Sequence, residues 1–267
     1  MERLLKDYTP ISLSEMNSVS LMNRTDIKFV TTAPVARQLL AQLRNDYFVQ
    51  EIDGQRVAPY YTVYFDTDNN AMYLQHVTGH ATRQKLRIRS YIQSHLNFLE
   101  VKTKDNHGRT HKKRVPFDDF NPLHPDYSIA FDGNNARSRE YGDFLVSVLR
   151  LKSSVLREKL ENRFSRITLI NKAMTERLTI DFNLRFHNLV SHRRSDIGPV
   201  VIIELKRDGR RFSPALAYLR SLHIREMGFS KYIIGAAMTD NRLPANRIKS
   251  RLRSIARMSG MQLIPNH

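Results

Sequence analysis

The sequence predicts an α+β fold, an antiparallel eight-stranded β-barrel or tunnel with peripheral helices. Segments rich in Val, Ile, Tyr, Phe and Thr recur along the chain, and about eight of them have the composition of strands. Most of these segments follow one another directly, with few of the strand–helix–strand units that a parallel sheet needs. An antiparallel barrel or tunnel is the most economical architecture for this order of elements.

The composition supports a folded chain without an internal boundary. Of the 267 residues, 41% are hydrophobic and 9% aromatic, which is enough to build a core. The 10 glycines and 10 prolines are scattered, and no repeat of fixed period occurs. A single domain over residues 1–267 is therefore expected.

The charge balance restricts the classes of ligand. Lys and Arg number 43 and Asp and Glu number 26, which gives a formal net charge of +17. Such an excess attracts nucleic acid, anionic lipid or polyphosphate-like substrates. The absence of cysteine excludes disulfides, a cysteine nucleophile and thiolate metal sites. Neither a membrane-spanning apolar run nor a signal peptide is evident, so a cytoplasmic protein is expected.

The first elements follow from local patterns. Residues 2–20 are expected to form a short polar helix and a turn, and residues 24–30 alternate like a strand. Thr32 is suited to cap a helix that has Pro34 in its first turn. Residues 60–67 have the composition of a second long strand.

A hairpin is expected in the middle of the chain. Strands are predicted at 85–91 and 98–104, and a turn at 106–108 leads to a basic strand at 111–117. Because successive side chains of a strand alternate between its faces, the first strand has a basic face and an apolar face. The basic face carries Lys85, Arg87, Arg89 and Tyr91.

The remaining elements are predicted in the same way. Further strands are expected at 162–170, 177–186, 200–206 and 229–235. Helices are expected at 139–149 and 214–223.

Basic residues recur on the polar faces of these strands. The set comprises Lys28, Arg87, Arg89, Lys102, Lys113, Arg166 and Arg177. One interpretation is a series of solvated faces, which normally mix both signs of charge. If the sheet closes with these faces inward, the crowded cations require bound anions. A closed sheet would then be a site for a chain of phosphates.

Glu204 lies in the otherwise apolar strand at 200–206. A carboxylate in such a strand is costly unless it is paired or bound to a metal. It is therefore either half of a buried ion pair with an arginine or a ligand of Mg²⁺ or Mn²⁺, which favour carboxylate oxygens and substrate phosphates. Glu100 beside Lys102 and Asp26 before Lys28 allow the same two interpretations.

The segment at 242–257 has six basic and no acidic residues. Ile248, Leu252 and Ile255 recur there at helical spacing. This helix either packs its apolar stripe on the barrel or serves as a docking surface for an anionic membrane or for an emerging polyanion.

Seven short motifs in a fixed order resemble a known family. They are Arg24-x-Asp26-x-Lys28-Phe29, Tyr64-Phe65-Asp66-Thr67, Leu86-Arg87-Ile88-Arg89-Ser90-Tyr91, Glu100-Val101-Lys102-Thr103-Lys104, Thr179-Ile180-Asp181, Ile203-Glu204-Leu205-Lys206 and Phe229-Ser230-Lys231-Tyr232. Together they resemble the VTC domain, the polyphosphate polymerase module of the vacuolar transporter chaperone family, which belongs to the triphosphate tunnel metalloenzymes. The resemblance covers a core of about 24–235 and leaves a basic C-terminal tail at 242–267.

The resemblance implies a triphosphate tunnel fold with a divalent metal, Mn²⁺ or Mg²⁺, held by Glu204. Lys28, Arg87, Arg89, Lys102 and Lys231 match basic substrate-binding positions of the family. Arg166 and Arg177 join this set as further basic positions. Lys113 is placed only by its distance from Gly108, so Lys112 or Arg114 is an alternative. Phe164 stands where the family has a tyrosine.

The function expected from these inferences is a polyphosphate polymerase that uses ATP and inorganic polyphosphate. One alternative is a metal-dependent hydrolase of triphosphate or polyphosphate. Another is a non-catalytic protein that binds polyanions or nucleic acid, although the basic faces have few of the exposed aromatic residues on which single-stranded bases stack. No specific nucleic acid is therefore expected. A membrane-protein partner is left open, and association with a membrane would then occur through it.

Overall fold

The computed structural model describes residues 1–17, 24–118, 120–131, 133–151, 156–209 and 212–261. Within these residues the strands are β1 (Thr9–Ile11), β2 (Arg24–Thr32), β3 (Tyr47–Gln50), β4 (Ala58–Thr67), β5 (Arg83–Tyr91), β6 (Leu96–Lys104), β7 (Thr110–Pro116), β8 (Leu156–Asn171), β9 (Glu176–Asn188), β10 (Arg194–Asp196) and β11 (Val200–Asp208). The helices are α1 (Glu2–Leu5), α2 (Leu13–Asn17), α3 (Ala33–Leu43), α4 (Ala71–Val77), α5 (Ala136–Val148), α6 (Pro214–Ser221), α7 (Lys231–Thr239) and α8 (Lys249–Ser259).

Eight long strands form one continuous antiparallel path, which confirms the predicted fold class. Their order is β2-β11-β9-β8-β4-β5-β6-β7, and β1, β3 and β10 pair at its side. In the part of the chain that the structure describes, the path ends at β2 and β7 without a ladder between them. The sheet is therefore curled into a tunnel rather than closed by hydrogen bonds.

Each strand of this path presents one face to the tunnel and the other to a helix or loop layer. On β11, Val201, Ile203 and Leu205 are buried in an outer cluster with α3 and α6, while Glu204 and Lys206 point inward. On β5, the outer cluster beneath α5 receives Leu86 and Ile88. The alternation of strand side chains thus gives the sheet an apolar convex face and a basic concave face.

Helix α7 packs inside the curl against β8 and β9 and fills one part of the tunnel. Its Tyr232, Ile233 and Ile234 belong to a cluster with inward-facing residues of the sheet. Gly235 makes this packing feasible, because an added Cβ there would overlap the Phe186 ring and lie 2.8 Å from Cδ2 of Leu160.

The strand predicted at 229–235 is wrong, because this segment contains the start of α7. A short apolar run with two isoleucines fits either type of element. Ser230 favours the helix, since its side chain caps the first turn by accepting a hydrogen bond from the Ile233 N–H (3.4 Å).

Most other predicted elements occur within a few residues of their expected bounds. The helix after Thr32 begins at Ala33, although the Thr32 side chain makes no capping hydrogen bond. The apolar stripe of α8 packs on the tunnel, with Ile248, Leu252 and Ile255 buried. Sequence patterns missed the short strands β1, β3 and β10 and the helix α4. Residues 18–20 of the first predicted segment and 262–267 of the tail lie outside the described residues.

None of the described helices is both long enough and apolar enough to cross a membrane.

Candidate functional site

The curled sheet surrounds a cavity of about 1420 Å³. Fifteen lysine and arginine residues border it, against four aspartate and glutamate residues. Every site residue predicted from the sequence lies at this cavity, namely Lys28, Arg87, Arg89, Lys102, Lys113, Arg166, Arg177, Lys231 and Glu204. The structure therefore brings together side chains from seven strands and one helix.

Lys113 borders the cavity from the outer face of its strand. It lies opposite Val101, which is buried in the outer cluster beneath α5. Opposed residues of an antiparallel pair share a face, so Lys113 is on the convex side. Its neighbours Lys112 and Arg114 lie opposite Lys102 and Glu100 and share the concave side. The register therefore favours Lys112 and Arg114 over Lys113 as the residues of this strand that face the tunnel.

Glu100 of β6 holds two cations in place on the tunnel wall. The Arg87 guanidinium donates to Glu100 Oε2 from Nε (2.8 Å) and Nη2 (2.6 Å), and Lys112 Nζ donates to Oε1 (3.1 Å). Despite burial, which by itself raises it, the pKa of Glu100 is lowered to about 2 by Arg87, Arg89 and Lys112. Of the two interpretations that the sequence allowed for Glu100, the structure shows the ion pair.

Asp181 of β9 likewise holds two cations in place, at another part of the tunnel wall. The Arg166 guanidinium grips its carboxylate with Nε (2.6 Å) and Nη2 (2.8 Å), and Lys231 Nζ donates to Oδ2. Burial opposes ionisation of Asp181, but Arg166 and Lys231 lower its pKa to about 2. These contacts fix two cations from different elements, β8 and α7, at one point of the wall.

Aromatic rings support the arginines of this wall. The Arg166 guanidinium lies 4.8 Å from the Tyr60 ring centre and 5.4 Å from that of Phe164. Lys231 Nζ lies 4.2 Å from the Phe164 ring centre, so Phe164 supplies a ring face to this ammonium group. Arg89 lies over Tyr60 at 5.9 Å, and its hydrogen bond is a long one of 3.4 Å to Thr62 Oγ1.

Glu204 faces the tunnel from the middle of β11. Its Oε1 accepts a hydrogen bond from Lys206 Nζ (2.6 Å), and the same ammonium lies 4.0 Å from Asp26 Oδ2. Burial alone would raise the Glu204 pKa, but Lys206, Lys28 and Arg166 lower it well below its usual value. The partner of this carboxylate is thus a lysine two positions away rather than the arginine expected for an ion pair.

Several tunnel lysines have lowered pKa values, which means that the tunnel destabilises their protonated forms. Burial, together with Lys28, lowers the pKa of Lys102 to about 8. Burial also lowers the pKa of Lys231 to about 8, against the attraction of Asp181. The pKa of Lys85 is lowered well below its usual value by burial and by Lys28 and Lys102. A bound polyanion would remove this cost, because each phosphate favours the protonated lysine.

The segment before α7 ties two of these lysines to the tunnel end. Lys28 Nζ donates to the carbonyl oxygen of Phe229 (3.1 Å), and Lys85 Nζ donates to Ser230 Oγ (3.0 Å). Both ammonium groups keep further N–H bonds for a ligand, because a lysine has three donors.

The carboxylates near Glu204 fit a divalent cation that is shared with a phosphate substrate. Across the described ranges, no three Asp, Glu or His side chains converge to form a complete metal site. Mg²⁺ and similar ions are commonly held by one or two carboxylates, and substrate phosphates and water complete the shell. The donor chemistry of Glu204, with Asp26 nearby, suits that arrangement.

Sequence reasoning missed several cations of the site. Lys206 and Arg251 both border the cavity, as do Arg83 and Lys104. Lys206 could have been found from its alternation with Glu204. Arg251 could not, because only the tertiary packing of α8 brings it to the tunnel.

A curled antiparallel sheet around a cation-lined cavity places the chain in the triphosphate tunnel class of proteins. Comparison with family models gives the particular family. The model of the VTC domain matches residues 23–239, and the chain belongs to this family. The segment that carries α8 lies beyond the matched residues.

Solved structures of similar shape are remote. A putative adenylyl cyclase from Hippeastrum, described as having a dominant triphosphatase activity, has a TM-score of 0.44 and 17% identity, and the match covers 84% of this chain and 99% of that one. The PH1819 protein from Pyrococcus horikoshii OT3 has a TM-score of 0.41 and 11% identity, with 78% and 93% of the two chains covered. No curated protein sequence matches the chain significantly.

Proposed function

We propose that this protein is a polyphosphate polymerase that transfers the γ-phosphoryl group of ATP to a growing inorganic polyphosphate chain. The observation that carries the proposal is the tunnel itself, which is bordered by fifteen lysine and arginine residues and only four aspartate and glutamate residues in a chain of the VTC domain family. A site of this charge, enclosed by a sheet, favours a chain of phosphates over a single anion.

The arginines act as anchors for phosphate oxygens. Arg87 and Arg166 each use Nε and Nη2 to bind a carboxylate and present the remaining edge of the guanidinium to the cavity. Because Glu100 and Asp181 fix these side chains before substrate arrives, little side-chain entropy is lost on binding. Further charge comes from Arg89, Lys102, Lys28 and Lys231, the last two from the end beside α7.

The reaction needs no side-chain nucleophile. A terminal oxygen of polyphosphate attacks the γ-phosphorus of ATP, the bond from that phosphorus to the β,γ-bridging oxygen breaks, and ADP leaves with the bridging oxygen. Phosphoryl transfer depends mainly on positioning and on stabilising negative charge, and a wall of fixed cations supplies both.

A divalent cation, Mn²⁺ or Mg²⁺, is proposed at Glu204. When bound it would neutralise charge on the phosphate oxygens and orient the triphosphate. The carboxylate of Glu204 would hold it, and Lys206 would orient that carboxylate.

The test is incubation of the purified protein with ATP and Mn²⁺, followed by sizing of the products on a gel. A ladder of long polyphosphate, absent from the Arg87→Ala/Arg89→Ala variant and retained by the exposed control Arg157→Ala, is the expected result. Release of inorganic phosphate without a ladder would assign hydrolysis instead. Metal-independent binding of polyphosphate without turnover would leave a binding protein.

The proposal extends to a membrane-protein partner that takes up the product, and through it to an association with the membrane from the cytoplasmic side.

A further inference from the structure

One end of the tunnel is formed by residues that the proposed mechanism does not use. His76 of α4, Arg83 and Lys85 of β5 and Arg251 of α8 border the cavity there, and we call this group the α8 port. Arg251 lies beyond the residues that match the VTC domain.

Helix α8 and the segment that leads into it are fixed to the tunnel by specific contacts. The Tyr73 hydroxyl donates to the Pro244 carbonyl oxygen (3.1 Å), and Arg247 Nη1 donates to the Thr78 carbonyl oxygen (2.5 Å). Leu252 and Ile255, which are 4% and 0% exposed, pack in the same apolar cluster as α7. The position of Arg251 is therefore set by the fold and not by an exposed tail.

The Arg251 guanidinium is aimed at the tunnel wall. Its Cζ would lie 3.9 Å from a Cβ added to Gly228, directly before the segment that binds Lys28 and Lys85. Arg83 is anchored nearby, because its Nη1 donates to the His80 carbonyl oxygen (2.6 Å). The side chains of Arg251, Arg83 and Lys85 thus lie close to the His76 ring at the cavity.

His76 is the second observation that points to a ligand. Its Nδ1 is buried and has no hydrogen-bond partner within the described part of the chain. Burial and the cations around the ring, first Lys85, then Arg83 and Arg251, lower the pKa of His76 to about 2, so the ring is neutral. A buried polar atom without a partner costs free energy. The neutral ring has one N–H, and a phosphate oxygen at the port would accept its hydrogen bond.

We propose that the α8 port is a second anion-binding subsite, which holds phosphates of a polyphosphate chain beyond those bound at Arg87 and Arg166. This inference rests on the proposed function for its ligand, but its test measures binding without ATP. A failure of the wild type to turn over ATP would therefore leave it intact.

The test compares the affinities of long-chain polyphosphate and tripolyphosphate for variants of one helix. Arg251 and Arg253 are both exposed arginines of α8, but only Arg251 borders the cavity, so Arg251→Ala tests the port and Arg253→Ala is its control. We expect Arg251→Ala to weaken long-chain binding about fivefold, equivalent to about 1 kcal/mol. Tripolyphosphate, held at the central site, should bind both variants as it binds the wild type.

Salt dependence gives a readout that a purely structural role would not change. For a flexible phosphate chain, the slope of log affinity against log salt becomes shallower by about 0.7 for each phosphate that the protein no longer neutralises. Arg251→Ala should show this smaller slope and Arg253→Ala should not. Equal effects of the two variants, or equal weakening of long and short chains, would overturn the port.

Variants of His76 test the second half of the site. His76→Gln keeps a side-chain N–H donor and should retain long-chain affinity, whereas His76→Phe keeps a ring but no donor and should lose it. If His76→Phe fails to fold by circular dichroism, Arg251→Ala decides alone.

Vesicles of phosphatidylglycerol and phosphatidylcholine separate the lipid source of phosphate from the free chain. We expect Arg251→Ala to bind these vesicles as the wild type does. A loss of vesicle binding in Arg251→Ala with unchanged polyphosphate affinity would assign a membrane-binding role and refute the port.

Discussion

At the scale of single residues, the tunnel works through buried carboxylates that hold cations in place. Glu100 and Asp181 are 1% and 2% exposed, and each joins two cations. A buried ion pair contributes little net stability, because the cost of taking both charges out of water offsets their attraction. What the pairs provide is orientation, since an arginine fixed at Nε and Nη2 can present only one edge to a ligand.

Replacement of Glu204 tests the metal. Glu204→Gln removes the negative charge that would hold a divalent cation and leaves every cation of the tunnel in place. Metal-dependent turnover should fall by about a hundredfold or more, a loss typical of a group that stabilises the transition state. Polyphosphate affinity, measured by calorimetry, should be unchanged or higher.

Asp68→Asn is the matched control, because it makes the same change in an exposed pair with Arg157. A folded Glu204→Gln protein with wild-type metal-dependent activity would show that the cation is held elsewhere.

Conservative changes of the arginines separate geometry from charge. Arg87→Lys and Arg89→Lys keep the positive charge but lose the planar fork that contacts two oxygens at once. For Arg87 the change also breaks one of the two bonds to Glu100, so its alignment is lost as well. We expect kcat/KM to fall about tenfold in each variant, equivalent to about 1.4 kcal/mol of transition-state stabilisation.

Arg157→Lys, at an exposed position of β8, should have wild-type kcat/KM. Wild-type kinetics of both tunnel variants would mean that neither guanidinium contacts a reacting phosphate.

At the scale of elements, the alternation of side chains along each strand was predictable and the partner of each face was not. The basic face of β5 follows from a period of two, and the structure places it in the tunnel. Register is a different matter, because a shift of one residue moves a side chain to the other face. Lys113 shows this, since its face depends on pairing with Val101, which a count from a turn does not determine.

Helix α7 shows where local pattern failed. The run from Phe229 to Gly235 has the composition of a strand, but most of it folds as a helix because it packs inside the curl. Lys231, the first residue of that helix, still faces the cavity. The predicted site residue was therefore placed in the right cavity on an element of the wrong type.

The packing of α7 gives a prediction for stability. In Gly235→Ala the new Cβ would overlap Phe186 and lie 2.8 Å from Leu160 Cδ2, so the helix must shift. We expect the free energy of unfolding to fall by about 1–3 kcal/mol, the usual cost of overpacking. Denaturant titration measures the change.

Gly142 provides the control, because it lies in α5 and an added Cβ would meet nothing within 4 Å. Gly142→Ala should be neutral or stabilise by up to about 1 kcal/mol, since alanine is the better helix former. Equal behaviour of the two variants would contradict the close approach of α7 to β8 and β9.

At the scale of the whole molecule, the charge of the tunnel links ligand binding to protons. Lys102 and Lys231 have pKa values of about 8 in the folded protein, below the ordinary value of 10.5. Their protonation therefore opposes folding. This loss of stability is fully present below pH 8 and disappears as the pH rises to 10.5.

A bound polyanion should reverse the shift. At pH 9 both lysines are mostly neutral in the free protein, so tripolyphosphate binding should take up between about one and two protons. Calorimetry in two buffers of different ionisation enthalpy measures this number. Lys102→Met should take up fewer protons, and a binding enthalpy that is the same in both buffers would contradict the low pKa values.

The overall fold could thus be predicted from the sequence, while the full set of residues that border the site could not. A net charge of +17 and alternating basic strands point to a polyanion tunnel before any coordinates. The contribution of Arg251 depends on where the stripe of Ile248, Leu252 and Ile255 docks. The position at which this stripe docks depends on the shape of the apolar surface that the rest of the molecule offers.

The unpaired ends of the sheet have a consequence for the protein without ligand. Across the described strands, β2 and β7 are joined by no ladder, yet Lys28 of β2 and Lys102 of β6 lie close enough to lower the Lys102 pKa. The curled sheet therefore has a lengthwise seam, the gap between β2 and β7, and the ammonium groups of Lys28 and Lys102 repel one another near it. A phosphate chain lying along the seam would attract both lysines. It would thereby hold together the two ends of the sheet, which no hydrogen bonds join in the described strands. The polyphosphate would then be both the ligand of the tunnel and the contact that keeps its wall closed.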